Sequence, residues 1–354
     1  LELHCKILHS AENDSNVLFK WIFPMLYDLV GIGNAVMDVV ARVDEDFLAR
    51  HGVRKSHSTA FSYEDFRRIL ADTDSPVWIA GGAGANVTHC MKALGRQSAF
   101  IGKISRDPPG FQFRDDMKAS GIDLFLAEFN GDVPGSTQVL CLTTPDGERS
   151  FACYDGISGS LVPGDLTEEP LASSHISYFD GYSLRAPASR DVFITAADIS
   201  HQAGHLTCFN PGDRSMLEEF PDAANDILGA CDALICNRHE AEILYGDKPL
   251  EALARAMNGD FAFGAVTDGA HGAWVFGKGN LSFIPALDIS HIARPDANGA
   301  GDHFSAGFLT GLLQDFSLER AGELGRACAM TCLAHLGARP QSPLEHLLSE
   351  GSKL

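Results

Sequence analysis

From Met25 onward the chain alternates short apolar runs with amphipathic stretches, and this rhythm constrains the fold more than any other feature. "MLYDLVGIG" reads as a buried strand ending in glycines, "GANVTHCMKALG" as a helix closing at Gly95, and "SAFIGKI" as the next strand. "HISYFDGY", a helix over 187–203, "HLTCFNPG", "CDALICN", a helix over 238–245 and "FAFGAVTDG" continue the pattern. Two helices, over 301–315 and 317–336, close it. Near-continuous apolar strands are covered on both faces, and helices between them make parallel crossovers. The expected fold class is α/β, with a mostly parallel central sheet and helices on both faces.

Two stretches break the rhythm. Residues 39–62 and 122–158 lack a long helix and alternate polar with apolar, as in "STQVLCLTTPDGERSFACYD", where "PDGE" marks a hairpin turn. They are expected to form a small, discontinuous β lid beside the main unit. Residues 1–24 contain no apolar core of a secretory signal and read as an extension outside the fold. Residues 25–345 read as a single domain and 346–354 as a C-terminal tail.

Composition narrows the partners. With 27 basic and 47 acidic side chains the net charge is −20, a field that repels phosphate backbones and argues against nucleic acid. The most apolar stretch, "WIFPMLYDLVGIG", is too short to span a bilayer and is broken by Pro24 and Asp28, so no membrane partner is expected. The nine cysteines show no C-x-x-C spacing, which fits free thiols in a reducing cytoplasm. The expected partner is a small molecule, met by a monomer or homodimer.

The segment "DANGAGDHFSAGFLTGLL", from Asp296 to Leu313, carries the chemistry. Gly299, Ala300 and Gly301 are small enough to turn main-chain N–H groups toward one point just before a helix, where unpaired amides and the positive helix end bind anions. Asp302 then sits in the first turn. It could simply cap the helix, yet the neighbouring small residues make room that a cap does not need. Amides for a developing negative charge and a carboxylate for a hydroxyl proton suit phosphoryl transfer. Other glycine patterns lack essential positions. "GIGN" at 31–34 has Val36 where a dinucleotide fingerprint needs glycine, and "GAWVFGKG" ends in Gly279 where a P-loop needs a hydroxyl.

"DANGAGDHFSAGFL" resembles the C-terminal signature of the ribokinase-like (PfkB) carbohydrate and nucleoside kinases. "GGAGANVTHCMKALG" from Gly81 resembles their N-terminal G-G-x-x-x-N segment, "NRHEAEIL" at 237–244 their N-x-x-E element, and "VTDGAHGAWV" at 266–275 their T-x-G strand end. The four fall in family order. The resemblance implies a three-layer ribokinase-like fold, ATP as phosphoryl donor, Mg2+ and a monovalent cation such as K+. It implies Asp302 as catalytic base, with Gly299, Ala300 and Gly301 as the anion hole. Asn34, Asp38, Gly81, Gly82 and Asn86 are implied on the acceptor side. Asn237, Glu240, Thr267 and Gly269 are implied on the nucleotide side, with Glu240 acting indirectly on magnesium. Arg149, on the hairpin, is implied as a phosphate clamp, and Asp296 near a monovalent cation. Ala297 departs from the family, standing where a hydroxyl residue is usual.

Within this family the N-x-x-x-D spacing of "GNAVMD" at 33–38 resembles adenosine kinases, whereas ribokinases favour N-x-D. The stretch "DEDFLARHGVRK" and the ending "HLGARP" also resemble bacterial adenosine-kinase-like members. The expected acceptor is therefore the primary hydroxyl of a ribofuranoside, adenosine first. A free sugar such as ribose or fructose is the near alternative, and a non-catalytic sugar- or nucleotide-binding protein the distant one.

Overall fold

Tyr27–Ile32 (β1) sends Val30 and Ile32 into one apolar layer and Leu29 into another, the two-sided burial that its unbroken apolar run foretold. The computed structural model describes residues 25–131, 135–290, 292, 297–335 and 337–349; the expected extension 1–24 and Asp296 lie outside them. Strands β2 (Val36–Arg42), β3 (Ser58–Ala60), β4 (Val77–Gly81), β5 (Ser98–Ser105) and β6 (Asp123–Phe129) follow. Next come β7 (Thr137–Thr143), β8 (Arg149–Tyr154), β9 (Ser174–Asp180) and β10 (Leu206–Asn210). Then β11 (Ala233–Asn237), β12 (Phe263–Thr267), β13 (Ala273–Gly277) and β14 (Asn280–Ile284) complete the set among the described residues.

Nine of these strands form one sheet in the order β14-β13-β12-β11-β10-β9-β1-β5-β6. From β12 to β6 every pairing is parallel, while β13 and β14 are antiparallel. The helices α1 (Glu45–His51), α2 (Tyr63–Ala71), α3 (Ala83–Ala93) and α4 (Pro108–Ala119) precede the centre of the chain. They are followed by α5 (Glu168–Ala172), α6 (Ser189–Gln202), α7 (Arg214–Glu219) and α8 (Pro221–Gly229). The last are α9 (Arg238–Tyr245), α10 (Leu250–Asp260), α11 (Ala300–Leu313) and α12 (Leu318–Leu333). On one face Phe193, Leu217, Ile227 and Met257 from α6, α7, α8 and α10 pack on Val30 and Phe209. On the other, Met91, Phe308 and Leu324 from α3, α11 and α12 pack on Leu29, Tyr178 and Ile235. Two helical layers on a parallel sheet give the expected three-layer architecture. Among the described residues no helix is long and apolar enough to cross a membrane.

The second sheet has five strands in the order β3-β8-β7-β2-β4. Its β7–β8 hairpin pairs Thr143 with Arg149 around the "PDGE" turn. One face buries Val39, Leu140, Leu142 and Ala152 against Phe47 of α1 and Phe66 of α2. Its composition differs from the expected lid at two places. Residues 123–129 belong to the main sheet, paired parallel with β5; as an edge strand β6 is half covered and therefore reads as alternating. In their place β4, outside both expected stretches, pairs antiparallel with β2. At the C-terminus Leu347, expected in a tail, is 3% exposed and belongs to the α3–α11–α12 layer.

Candidate active site

At the carboxyl ends of β9, β10, β11 and β12 lies a cleft of about 540 Å³, the place where open parallel sheets leave a crevice for ligands. The N-termini of α3 and α11 enter it from the main unit. The second sheet roofs it with Val36, Val139, Phe151 and Cys153, the side chains alternate to those that fill that sheet's own core.

Helix α11 begins at Gly299, whose φ of 78° lies in the left-handed region, and no side chain among the described residues caps it. A Cβ at residue 299 would stand 2.6 Å from the Cβ of Ala338. Glycine is thus required by both conformation and space. The Ala300 N–H turns back to the Ala297 carbonyl at 3.2 Å, and the His303 N–H to the Gly299 carbonyl at 2.9 Å. The Gly301 and Asp302 amides have no backbone acceptor among the described residues. Of the small-residue run only Ala300 is turned away: its N–H is bonded and it does not line the cleft, whereas Gly299, Gly301 and Asp302 do. Gly299→Ala is expected to cost about 1–3 kcal/mol through backbone strain and overlap. The matching readouts are a lower Tm and a fall in turnover.

Asp302 accepts a hydrogen bond from Asn86 Nδ2 at 2.9 Å, joining the first turns of α11 and α3. Burial pushes its carboxyl up to about 8, against the Asn86 bond, and the nearby charges of Asp180 and Asp38 push the same way as burial. Asn86 Oδ1 is buried without a partner among the described residues, an acceptor at the cleft that a hydroxyl donor would satisfy.

Asn34, Asp38, Gly82, Asn86, Arg149, Asn237, Glu240 and Thr267 also line the cleft. Asn34 Oδ1 accepts the Gly159 N–H at 3.3 Å, tying the 156–160 turn to the rim. Gly81 does not line the cleft; it pairs with Val36 across β2, and a Cβ there would overlap the Asp38 carboxylate. Gly269 stands outside the cleft too, in a short turn after β12 with φ of 50°. Asn237 caps α9: its Oδ1 accepts the Glu240 N–H at 3.0 Å, while Glu240 Oε2 accepts the Asn237 N–H at 2.9 Å. Glu240 is 2% exposed, and burial lifts its carboxyl to about 7 against those Asn237 bonds.

Asp180 was not singled out from the sequence. It ends β9 at the cleft, accepts the Gly84 and Tyr182 N–H groups at 3.3 and 3.0 Å, and is lifted by burial to about 6. Arg185, just beyond it, and Asn210, which ends β10, line the same space. The available signal was positional: "YFD" and "CFN" each end an apolar strand in a polar residue at the carboxyl edge of a parallel sheet.

Comparisons with known proteins show the family. A family model described as pfkB family carbohydrate kinase matches residues 29–345. A probable fructokinase-4 of Arabidopsis thaliana is 27% identical over 292 residues, covering 78% of this chain and 88% of that protein. An ATP-dependent ribose-1-phosphate kinase of Halopiger xanaduensis is 29% identical over 262 residues, covering 73% and 82%. Among solved structures, the adenosine kinase of Sinorhizobium meliloti superposes with a TM-score of 0.83 at 28% identity, over 91% of this chain and 98% of that one. A probable sugar kinase of Rhizobium etli CFN 42 gives the same TM-score at 27% identity, over 91% and 97%. With its match running nearly from end to end of the described residues, the chain belongs to the pfkB family of carbohydrate kinases, phosphotransferases that act on an alcohol group of a sugar or nucleoside with ATP as donor.

Proposed function

We propose that the protein transfers the γ-phosphoryl group of ATP to the primary hydroxyl of a ribofuranoside, with adenosine as the acceptor and its 5′-hydroxyl as the nucleophile. The observation that carries this reading is the Asn86–Asp302 pair at the mouth of an uncapped helix, with Asp38 in the same cleft. Asp302 takes the hydroxyl proton as the oxygen attacks. The Gly301 and Asp302 amides and the positive end of α11 hold the charge that spreads over the transferring phosphoryl oxygens. Asp38 and Asn34 accept hydrogen bonds from ribose hydroxyls, and Asn86 Oδ1 accepts one more.

Asn237, Glu240 and Thr267 face the nucleotide. Glu240 spends its carboxylate on the helix cap, and no cluster of three His, Cys, Asp or Glu side chains fit to hold a metal occurs among the described residues. Magnesium therefore enters as part of the MgATP substrate, drawn by negative charge rather than by a protein cage. The second sheet acts as a lid that excludes water from the closed site, with Arg149 reaching the phosphates.

Adenosine is favoured over a free sugar by the roof. Val36, Val139, Phe151 and Cys153 present an apolar shelf to the cleft, a surface a purine ring covers and a monosaccharide leaves wet. The similarity to the Sinorhizobium meliloti adenosine kinase points the same way. The fructokinases and the ribose-1-phosphate kinase among the relatives support the second reading, a free or phosphorylated sugar. A coupled ADP-release assay with adenosine, other nucleosides, ribose, fructose and ribose 1-phosphate separates them. The expected result is a kcat/KM for adenosine at least tenfold above any free sugar; the reverse order replaces this reading with the second.

A further inference from the structure

A second cavity, of about 620 Å³, lies on the reverse side of the small sheet. Its walls are Tyr63 and Arg67 of α2, Trp78 of β4, Gln138 of β7 and Gln112 of α4. It therefore bridges the small sheet and the main unit, as the catalytic cleft does from the opposite side. Along β7 the two alternate: Thr137, Val139 and Cys141 face the cleft, and Gln138 faces the second cavity.

Its chemistry is that of a binding pocket more than of a packing fault. Two aromatic side chains, Tyr63 and Trp78, supply apolar faces, and the Arg67 guanidinium stands 6.0 Å over the Tyr63 ring. Gln138 is 4% exposed, and among the described residues its side chain makes one hydrogen bond, a long one of 3.3 Å from Nε2 to the Ser136 carbonyl. Directly across the strand pair from it, behind the cavity wall, the Tyr154 hydroxyl is buried without a partner among the described residues, its ring 5.2 Å from that of Tyr63. The walls offer two aromatic rings, the Gln112 and Gln138 amides and the Arg67 guanidinium, while the Asp107 carboxylate there already accepts the Gly110 and Ser136 N–H groups, and this set matches a planar nitrogen heterocycle with an acceptor-rich substituent toward Arg67. The volume suits a molecule of nucleoside or nucleotide size.

We infer that this cavity is a second, non-catalytic binding site for a nucleoside monophosphate, its ring against Tyr63 and Trp78 and its phosphate toward Arg67. A ligand there ties the back of the small sheet to α4 and so biases where the sheet's other face stands over the cleft. The inference holds whichever acceptor the cleft phosphorylates, because none of these side chains lines the cleft.

The test titrates the full chain with AMP, adenosine and inorganic phosphate while tryptophan fluorescence is recorded; among the described residues no tryptophan lines the catalytic cleft. AMP is expected to quench the Trp78 emission, a change absent in Trp78→Phe. The Arg67→Ala/Gln112→Ala double variant, altered at two exposed positions, should keep its basal turnover and bind AMP at this site at least tenfold more weakly. Adenosine binding about tenfold more weakly than AMP with the same quench supports the assignment of ring and phosphate. AMP binding without any Trp78 signal, an unchanged affinity in the double variant, or a response to inorganic phosphate equal to that for AMP overturns it.

Discussion

Asp302→Asn is expected to lower kcat by about 10²–10⁴-fold while leaving the affinities for acceptor and ATP near wild type, because the amide keeps the shape and loses the base. The same variant is expected to be more stable than the wild type. The folded protein holds the Asp302 carboxyl near 8, well above the ordinary carboxylate range, so the folded state binds its proton more tightly than the unfolded chain does. Stability from this group is therefore full below about pH 4 and drains away as pH rises toward 8. Asparagine never ionises, so the variant avoids that loss. Its advantage should be about 2–4 kcal/mol at pH 8 and shrink toward pH 4. Denaturant unfolding at the two pH values measures it. A catalytic group whose removal stabilises the fold is the usual signature of a site held against its own preference. A variant that turns over normally, or that is equally destabilised at both pH values, contradicts this role.

The second large effect concerns the proposed acceptor side. Asp38→Ala is expected to lower kcat/KM for the acceptor by about 10²–10³-fold with the KM for ATP unchanged. Two charge-assisted hydrogen bonds to hydroxyls are worth roughly 3–4 kcal/mol together. The neighbourhood is built around this side chain: the Asp38 carboxylate occupies the space a Cβ at Gly81 would need, which assigns that glycine a steric duty rather than a ligand contact. Because the Asp38 charge adds to the upward push on Asp302, its removal should also bring the Asp302 carboxyl down. Steady-state kinetics with each substrate varied in turn separates these effects. A raised KM for ATP would assign Asp38 to the nucleotide side instead.

Much of the main sheet was legible because its strands are buried on both faces and so written as unbroken apolar runs; β1, β5 and β9 through β12 stand where those runs lie. The small sheet was harder to read. An edge strand such as β6 has the alternation of a half-exposed sheet, whereas the "VWIAG" of β4 gives no sign of which sheet it joins. Within the site, Asp302 stood out through the small residues before its helix, whereas Asn86 and Asn237 were reached only through their resemblance to family segments. Asp180 did not, since a single carboxylate at a strand end is visible only once the strand order makes that end part of a crevice. The second cavity was illegible for the same reason: Tyr63, Trp78, Gln112 and Gln138 are far apart in the chain and meet only through tertiary folding. Amide direction at the helix entrance also needed coordinates, because composition makes Gly299, Ala300 and Gly301 equivalent and only geometry turns Ala300 inward.

The pH dependence of kcat/KM for the acceptor, measured on the wild type and on Asp302→Asn, tests most directly whether this carboxylate is the base. With the Asp302 carboxyl near 8, wild-type kcat/KM should fall tenfold per pH unit below about 8, and the residual activity of the variant should lack that limb. The same limb persisting in Asp302→Asn would contradict the assignment.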